Sequence, residues 1–337
     1  MGMTVTFQHF GIIGGGAWGT ALAQALLRAG REATLWAREP EVADAIRTRH
    51  ENPTYLSGIA LDAQMKATNA LEDLTPCDAW LLVTPTQHTR SLCRKLAAVA
   101  GDKTPPVLVC AKGIEQETLA LPGAIVAAEL PRHALAVLSG PTFAAEVARG
   151  MPTALTLACA GAALGMALTQ AISSSAFRVY YSDDATGAQI GGAIKNVLAV
   201  ACGIAAGCGM GDNARAALIT RGLAEMMRLG VALGGRAETL MGLSGLGDLT
   251  LTCSSPQSRN MSLGMALGQG QRLQDILAGR HSVAEGVFTA AAAAALARQH
   301  DIDMPIVMAV DAVLNHGAAV DATIASLLAR PLRPERA

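Results

Sequence analysis

Through the first half of the chain, short apolar runs alternate with segments of helical spacing, and few folds accept that pattern. The runs are Phe10–Ile13, Ala33–Trp36, Ala79–Val83, Val107–Cys110, Ala134–Leu138 and Ala154–Cys159, with Gly, Pro or Thr at their boundaries. Runs this short and this apolar suit strands buried on both faces. Between them, Thr20–Ala29 and Arg90–Ala98 have helical spacing. The alternation predicts βαβ units and a doubly wound, Rossmann-like parallel sheet of the α/β class.

The second half reads differently. Residues 182–337 hold one aromatic side chain, Phe288, and are dominated by Ala, Leu, Met and Gly. Asn213–Gly230, Met261–Leu267 and Thr289–His300 read as helices, with Asn213 as an N-cap and Gly230 as a C′ stop. Alanine and glycine at this density let helices approach closely. The expected organisation is a sheet domain over residues 1–189 and an all-α domain over 190–337.

Composition removes several functions. The 26 basic and 27 acidic residues leave a net charge of -1, and 3% aromatics offer little for stacking bases, so no nucleic-acid partner is expected. A mean hydropathy of +0.34 raises the question of a membrane. The longest nearly unbroken apolar stretch, Val197 to Gly211, is shorter than the roughly 20 residues a spanning helix needs, so a buried helix and a loop are expected. No cationic segment followed by an apolar run marks a signal peptide. The seven cysteines form no Cys-x-x-Cys, which fits reduced thiols in a cytoplasm. The histidines form no metal motif.

Gly14-Gly15-Gly16-Ala17-Trp18-Gly19 follows the first expected strand and opens the first helix. It satisfies Gly-x-Gly-x-x-Gly in the strand–turn–helix context that dinucleotide binding needs. Gly14 permits the tight turn, Gly16 lets a pyrophosphate approach the backbone, and Gly19 lets the helix pack on the sheet. Arg38 stands at the tip of the second strand, with Glu39 next. An arginine there holds the 2′-phosphate of NADP, whereas an acid accepts the 2′-hydroxyl of NAD. NADP is therefore the expected cofactor, with NAD tolerated; a solvated Arg–Glu pair opening the next helix is the alternative.

Three further strand tips run into Thr84-Pro85-Thr86, Ala111-Lys112-Gly113 and Ser139-Gly140-Pro141-Thr142. Lys195-Asn196 interrupts the apolar stretch Ile190 to Gly211. A buried charge there must be paired, snorkelling or functional. Asp248 is a candidate partner for Lys195, and Ser258, Arg259 and Asn260 could form a fork for a phosphate. Helix caps and solvated loops are the alternatives for each.

With these residues in place, the chain resembles the bacterial-type NAD(P)-dependent glycerol-3-phosphate dehydrogenases over nearly its whole length. The matching segments include the glycine loop, Trp36-Ala37-Arg38, Asn52-Pro53-Thr54-Tyr55-Leu56, Ala111–Glu115, Gly140–Ala144, Lys195–Ala199, Gly211–Leu218, Gly245–Thr252, Ser258–Asn260 and Val283–Gly286. The resemblance implies reversible hydride transfer between NAD(P)H and dihydroxyacetone phosphate, giving sn-glycerol 3-phosphate for phospholipid synthesis. It assigns Lys195 as the acid/base residue. It places the substrate near Lys112, Gly140, Thr142, Asp248, Ser258, Arg259 and Asn260. It places the cofactor against Ala17, Trp18, Arg38, Tyr55, Lys112, Ala144, Arg259, Val283 and Glu285. It further implies a cytoplasmic homodimer. Two positions depart from the family pattern: Ala17 and Thr142 stand where serine is usual.

Reducing a ketone requires a proton for the developing alkoxide. Lys195 as ammonium would donate it and Lys112 would steady the oxyanion or hold the substrate. An ordinary lysine pKa, about 10.4, is high for that exchange; burial and a second cation would both lower it. Two other readings stay open at this point. One is a β-hydroxyacid dehydrogenase or ketopantoate reductase acting on carboxylates; the other is a silent NADPH-binding sensor.

Overall fold

The computed structural model describes residues 6–279, 285–332 and 334. Eight strands form one sheet in the order β3-β2-β1-β4-β5-β6-β7-β8. They are β1 His9–Ile13, β2 Glu32–Trp36, β3 Lys66–Thr68, β4 Ala79–Leu82, β5 Val107–Val109, β6 Leu135–Ser139, β7 Thr153–Ala158 and β8 Phe177–Ser182. All neighbours are parallel except β6 and β7, which run antiparallel. The first six strands have the doubly wound order, whose reversal between β1 and β4 opens a ligand crevice beyond their carboxyl ends.

Six helices belong to the sheet half: α1 Ala17–Arg28, α2 Pro40–Arg49, α3 Thr89–Ala100, α4 Pro122–Glu129, α5 Ala144–Ala148 and α6 Ala162–Ile172. Two strands depart from the expected set. β3 is a three-residue edge strand with no apolar run. β8 alternates buried Phe177 and Val179 with exposed Arg178 and Tyr180, as a half-covered edge strand does. The sheet is also not wholly parallel, because β7 reverses.

The helical half comprises α7 Ala185–Gly207, α8 Gly211–Ala232, α9 Ala237–Leu240, α10 Asp248–Ser254, α11 Arg259–Gly268, α12 Leu273–Ala278, α13 Glu285–Gln299, α14 Pro305–Asn315 and α15 Val320–Leu328. The expected 189/190 boundary falls inside α7. Ala188 packs with the core beneath the sheet, while Ile190 begins the core of the helices. By length and composition α7 could cross a membrane, yet 83% of its most apolar stretch is buried by the rest of the fold. It is longer than the expected apolar stretch because helix formation carries on through Lys195 and Asn196.

Both expected ends of α8 shift. The N-cap position is Met210, and Asn213 lies inside the first turn. The helix runs through Gly230, whose missing side chain makes room for Leu240. Gly234, with φ +87°, supplies the left-handed residue after the helix. The glycines of α7 and α11 interlock: a Cβ on Gly203 would lie 2.1 Å from the Met261 carbonyl oxygen, and one on Gly264 would lie 2.1 Å from that of Val200.

Candidate active site

The glycine loop occupies the turn between β1 and α1. Gly14 has φ +135°, and a Cβ there would press on the Val83 carbonyl at 2.6 Å; one on Gly19 would collide with the Gly14 oxygen at 1.9 Å. A Cβ on Gly16 would meet nothing within 4 Å, and no side chain caps α1. The first-turn amides thus keep an open approach that suits a pyrophosphate. Asn52 braces this loop. Its Nδ2 donates to the Gly15 carbonyl at 2.8 Å and to Thr20 Oγ1 at 2.9 Å, and its Oδ1 accepts from Tyr55 N at 3.2 Å.

At the β2 tip, Arg38 donates to Glu39 Oε1 at 2.5 and 3.0 Å, and the Tyr55 hydroxyl lies 3.4 Å from the same oxygen. The Arg–Glu pair that stood as the alternative therefore forms, with Glu39 at the N-cap position of α2. Ala17, Trp18, Tyr55 and Ala144 all sit partly buried against the sheet's core. The Trp18 indole Nε1 is buried without a hydrogen-bond partner. The open cradle and this orphaned donor fit a dinucleotide. Val283 lies outside the described residues.

Further along the edge, Glu285 at the start of α13 reaches back to the sheet. Its Oε1 accepts from Thr86 N at 3.0 Å, while Oε2 is buried without a partner. Burial pushes its carboxyl up to about 7, against the pull of the Thr86 amide and Arg259.

Two lysines meet at one carboxylate. Lys112, just after β5, donates to the Gly140 carbonyl at 3.0 Å and to Asp248 Oδ2 at 2.7 Å. Lys195, midway along α7, donates to Asp248 Oδ1 at 2.5 Å and to Thr252 Oγ1 at 3.0 Å. The Asp248 side chain is 0% exposed and that of Lys195 9%. Burial pushes the Lys195 ammonium down to about 8; Asp248 resists and Lys112 adds to the fall. The Thr252 hydroxyl donates to the Asp248 carbonyl at 2.6 Å, so its lone pairs face Lys195.

The packing behind Asp248 explains its position. A π-helical turn, Leu243–Gly247, leads into α10. A Cβ on Gly191 of α7 would lie 2.4 Å from the Ser244 oxygen of that turn, so glycine permits the contact. The chain can then seat Asp248 directly over Lys195.

The Ser258–Arg259–Asn260 segment is not a fork of equal donors. Ser258 Oγ accepts from Met261 N at 3.2 Å and caps α11. Asn260 donates to Asn196 Oδ1 at 3.0 Å and accepts from Gly286 N at 3.1 Å. Arg259 is exposed. Asn196 Nδ2 in turn donates to the Lys112 carbonyl at 3.1 Å, and Thr142 Oγ1 donates to the Gly140 carbonyl at 3.3 Å. Sequence reasoning passed over Thr252 and Asn52. Thr252 had a signal, since it stands four residues after Asp248 on the same helix face.

The profile of the NAD-dependent glycerol-3-phosphate dehydrogenase N-terminus matches residues 9–164, and that of its C-terminus matches 184–325. A relative named glycerol-3-phosphate dehydrogenase [NAD(P)+] from Parvibaculum lavamentivorans is 55% identical over 99% of this chain and 100% of its own. A second so named, from Caulobacter vibrioides, is 56% identical over 98% and 100%. The crystal structure of glycerol-3-phosphate dehydrogenase from Coxiella burnetii superimposes with a TM-score of 0.91 at 36% identity, covering 96% of this chain and 99% of that one. A ketopantoate reductase from Ralstonia eutropha shares the fold, with a TM-score of 0.58 at 16% identity over 94% and 100% of the chains. The chain belongs to the NAD-dependent glycerol-3-phosphate dehydrogenase family.

Proposed function

We propose that this protein is an oxidoreductase that reduces dihydroxyacetone phosphate to sn-glycerol 3-phosphate, reversibly, with NADPH and with NADH as a second cofactor. The product would serve glycerophospholipid synthesis. The observation that carries the reading is the Lys112–Asp248–Lys195 bridge beside a glycine loop open to a pyrophosphate. When bound, the reduced nicotinamide supplies the hydride. Lys195 gives its proton to the alkoxide oxygen, and Asp248 and Thr252 hold its Nζ in line. Lys112, fixed by the Gly140 carbonyl, steadies the substrate's anionic oxygens together with Thr142. Arg259 takes the phosphate, while Ser258 and Asn260 shape the wall behind it. Gly14, Gly16 and Gly19 with Ala17 and Trp18 seat the pyrophosphate, and Arg38 with Tyr55 reads the adenosine end. Ala144 and Glu285 close the cofactor side.

The test is NADPH oxidation with dihydroxyacetone phosphate, repeated with NADH and with 2-keto acids. Turnover on keto acids but not on the ketone phosphate would refute the reading. We divide the chain into a dinucleotide-binding unit, 1–189, and a helical catalytic unit, 190–337, on the split of the two cores within α7. We place the protein in the cytoplasm, a reducing compartment that suits its seven free thiols.

We also infer a homodimer built on α15. That helix has no buried residue, though six of its nine are apolar. Leu328 and Leu332 are 75% and 102% exposed and help line an apolar groove of about 660 Å³ bounded by α8, α14 and α15. A second copy related by a twofold axis would bring the two apolar faces of α15 together and cover the groove.

A further inference from the structure

Asp248 is the only carboxylate that either active-site lysine contacts among the described residues, and both contact it. The chain has five lysines in 337 residues, and two of them point at this one side chain from different elements. Lys112 comes from a strand tip and Lys195 from the middle of a buried helix. Each takes one carboxylate oxygen, at 2.7 and 2.5 Å.

The environments of the two lysines differ. Lys112 is partly exposed and its other partner is a carbonyl, so it can turn toward an arriving anion. Lys195 is buried, with Thr252 as its other partner, and has nowhere else to go. The remaining ionisable group acting on Lys195 is the Cys253 thiol. Contact with Cys202 and burial hold that thiol well above its ordinary range, so it stays neutral. The charged groups acting most strongly on Lys195 are therefore Asp248 and Lys112.

We propose that Lys112 controls the protonation of Lys195 through their shared carboxylate. A substrate anion that draws Lys112 off Asp248 neutralises one cation and leaves the whole carboxylate to Lys195. The ammonium is then favoured at the moment a ketone needs a proton. Once the product leaves with that proton, Lys112 returns to Asp248 and its charge again favours the free amine. Lys195 takes its next proton from solvent when a new anion draws Lys112 away. Lys112 thus does more than hold the substrate: it couples the filling of the site to the acid strength of its neighbour. This rests on the reading of Lys195 as the proton donor.

The experiment follows the ε-methylene signals of Lys195 by NMR in protein labelled with ¹³C-lysine. Five lysines keep the spectrum simple, and the Lys195→Arg spectrum assigns the peak. In the resting protein, Lys112→Met should raise the Lys195 midpoint by about one pH unit, a tenfold change in acid strength, by removing the opposing cation. Lys112→Arg, which keeps the charge, should leave the midpoint near the wild-type value. In wild type, sn-glycerol 3-phosphate should raise the midpoint, and in Lys112→Met that rise should be largely lost. An unchanged midpoint in folded Lys112→Met would overturn the proposal, as would a full ligand-induced rise without Lys112. Should Lys112→Met not fold, the wild-type arm decides, since a midpoint that ignores the bound ligand is equally fatal. The resting titration needs no turnover. Failure of the functional reading would show separately, as no oxidation of NADPH or as turnover that survives loss of Lys195.

Discussion

Lys195 is held between opposing forces, and the weaker side is the one a salt bridge would lead one to favour. Asp248 at 2.5 Å supports the ammonium, yet desolvation in α7, with Lys112 adding to it, still brings the group down to about 8. Reduction needs the ammonium, so kcat/KM for the ketone should fall about tenfold per pH unit above that value. Oxidation of the alcohol needs the free amine, so it should gain with pH below that value and level off above it. A pH profile in both directions checks this; a flat profile across pH 7–9 contradicts it. Lys195→Met should lower turnover by about 10²–10⁴-fold while NADPH affinity stays within a few-fold, read by fluorescence titration. Lys195 was legible in the sequence because a charge in an apolar run demands a partner, with Asp248 as the candidate. Lys112 stood out only by its place at a strand tip, and its sharing of Asp248 had no signal. Thr252 and Asn52 were harder to find. A hydroxyl or an amide looks ordinary in any segment, and only the folded neighbours give it work. The same applies to Ser258 and Asn260, whose types promised a phosphate fork but whose side chains cap a helix and bridge two others.

The helices meet at the closeness that their glycines allow. Gly203 and Gly264 each place a Cα where a methyl group would strike a carbonyl of the facing helix. Gly264→Ala would gain up to about 1 kcal/mol of helix propensity. Forcing α7 and α11 apart should cost more, roughly 1–3 kcal/mol, because backbone cannot swing aside as a side chain can. Urea denaturation should therefore show a net loss of stability, and an unchanged midpoint would mean that the helices slide freely. Among the strands, the fully buried ones announced themselves as apolar runs. β8 did not, because its outer face is exposed and its signal is alternation. β3 has three residues and a lysine, too little for any pattern. The reversal of β7 was hidden for a different reason: an apolar run has no arrow. The C-terminal end of α8 moved because Gly230 serves packing against Leu240 rather than chain reversal.

The molecule has a core on each face of the sheet and a third among the helices, and α7 belongs to that third and to one of the sheet cores. On the outside, the exposed leucines of α15 and the tail carry a distinct expectation. Leu328→Asp should shift the protein from dimer toward monomer in sedimentation velocity, with its melting temperature little changed, since that side chain is 75% exposed within one chain. A monomeric wild type would remove the inferred interface. Inside, the reversed strand has a further consequence. Because β7 and β8 run away from the active edge, β8 ends at Ser182, level with Val137 in mid-sheet. The chain must climb back, and α7 is the ladder. Lys195 lies eleven residues beyond the Asp184 cap, about 16 Å of rise. Its height and heading are thus fixed by counting: one residue more in those three turns would rotate the amine by about 100° and aim it at the wall. The first half of α7 is a measuring rod, and a change in its length would disarm the site even where every residue of the site remained.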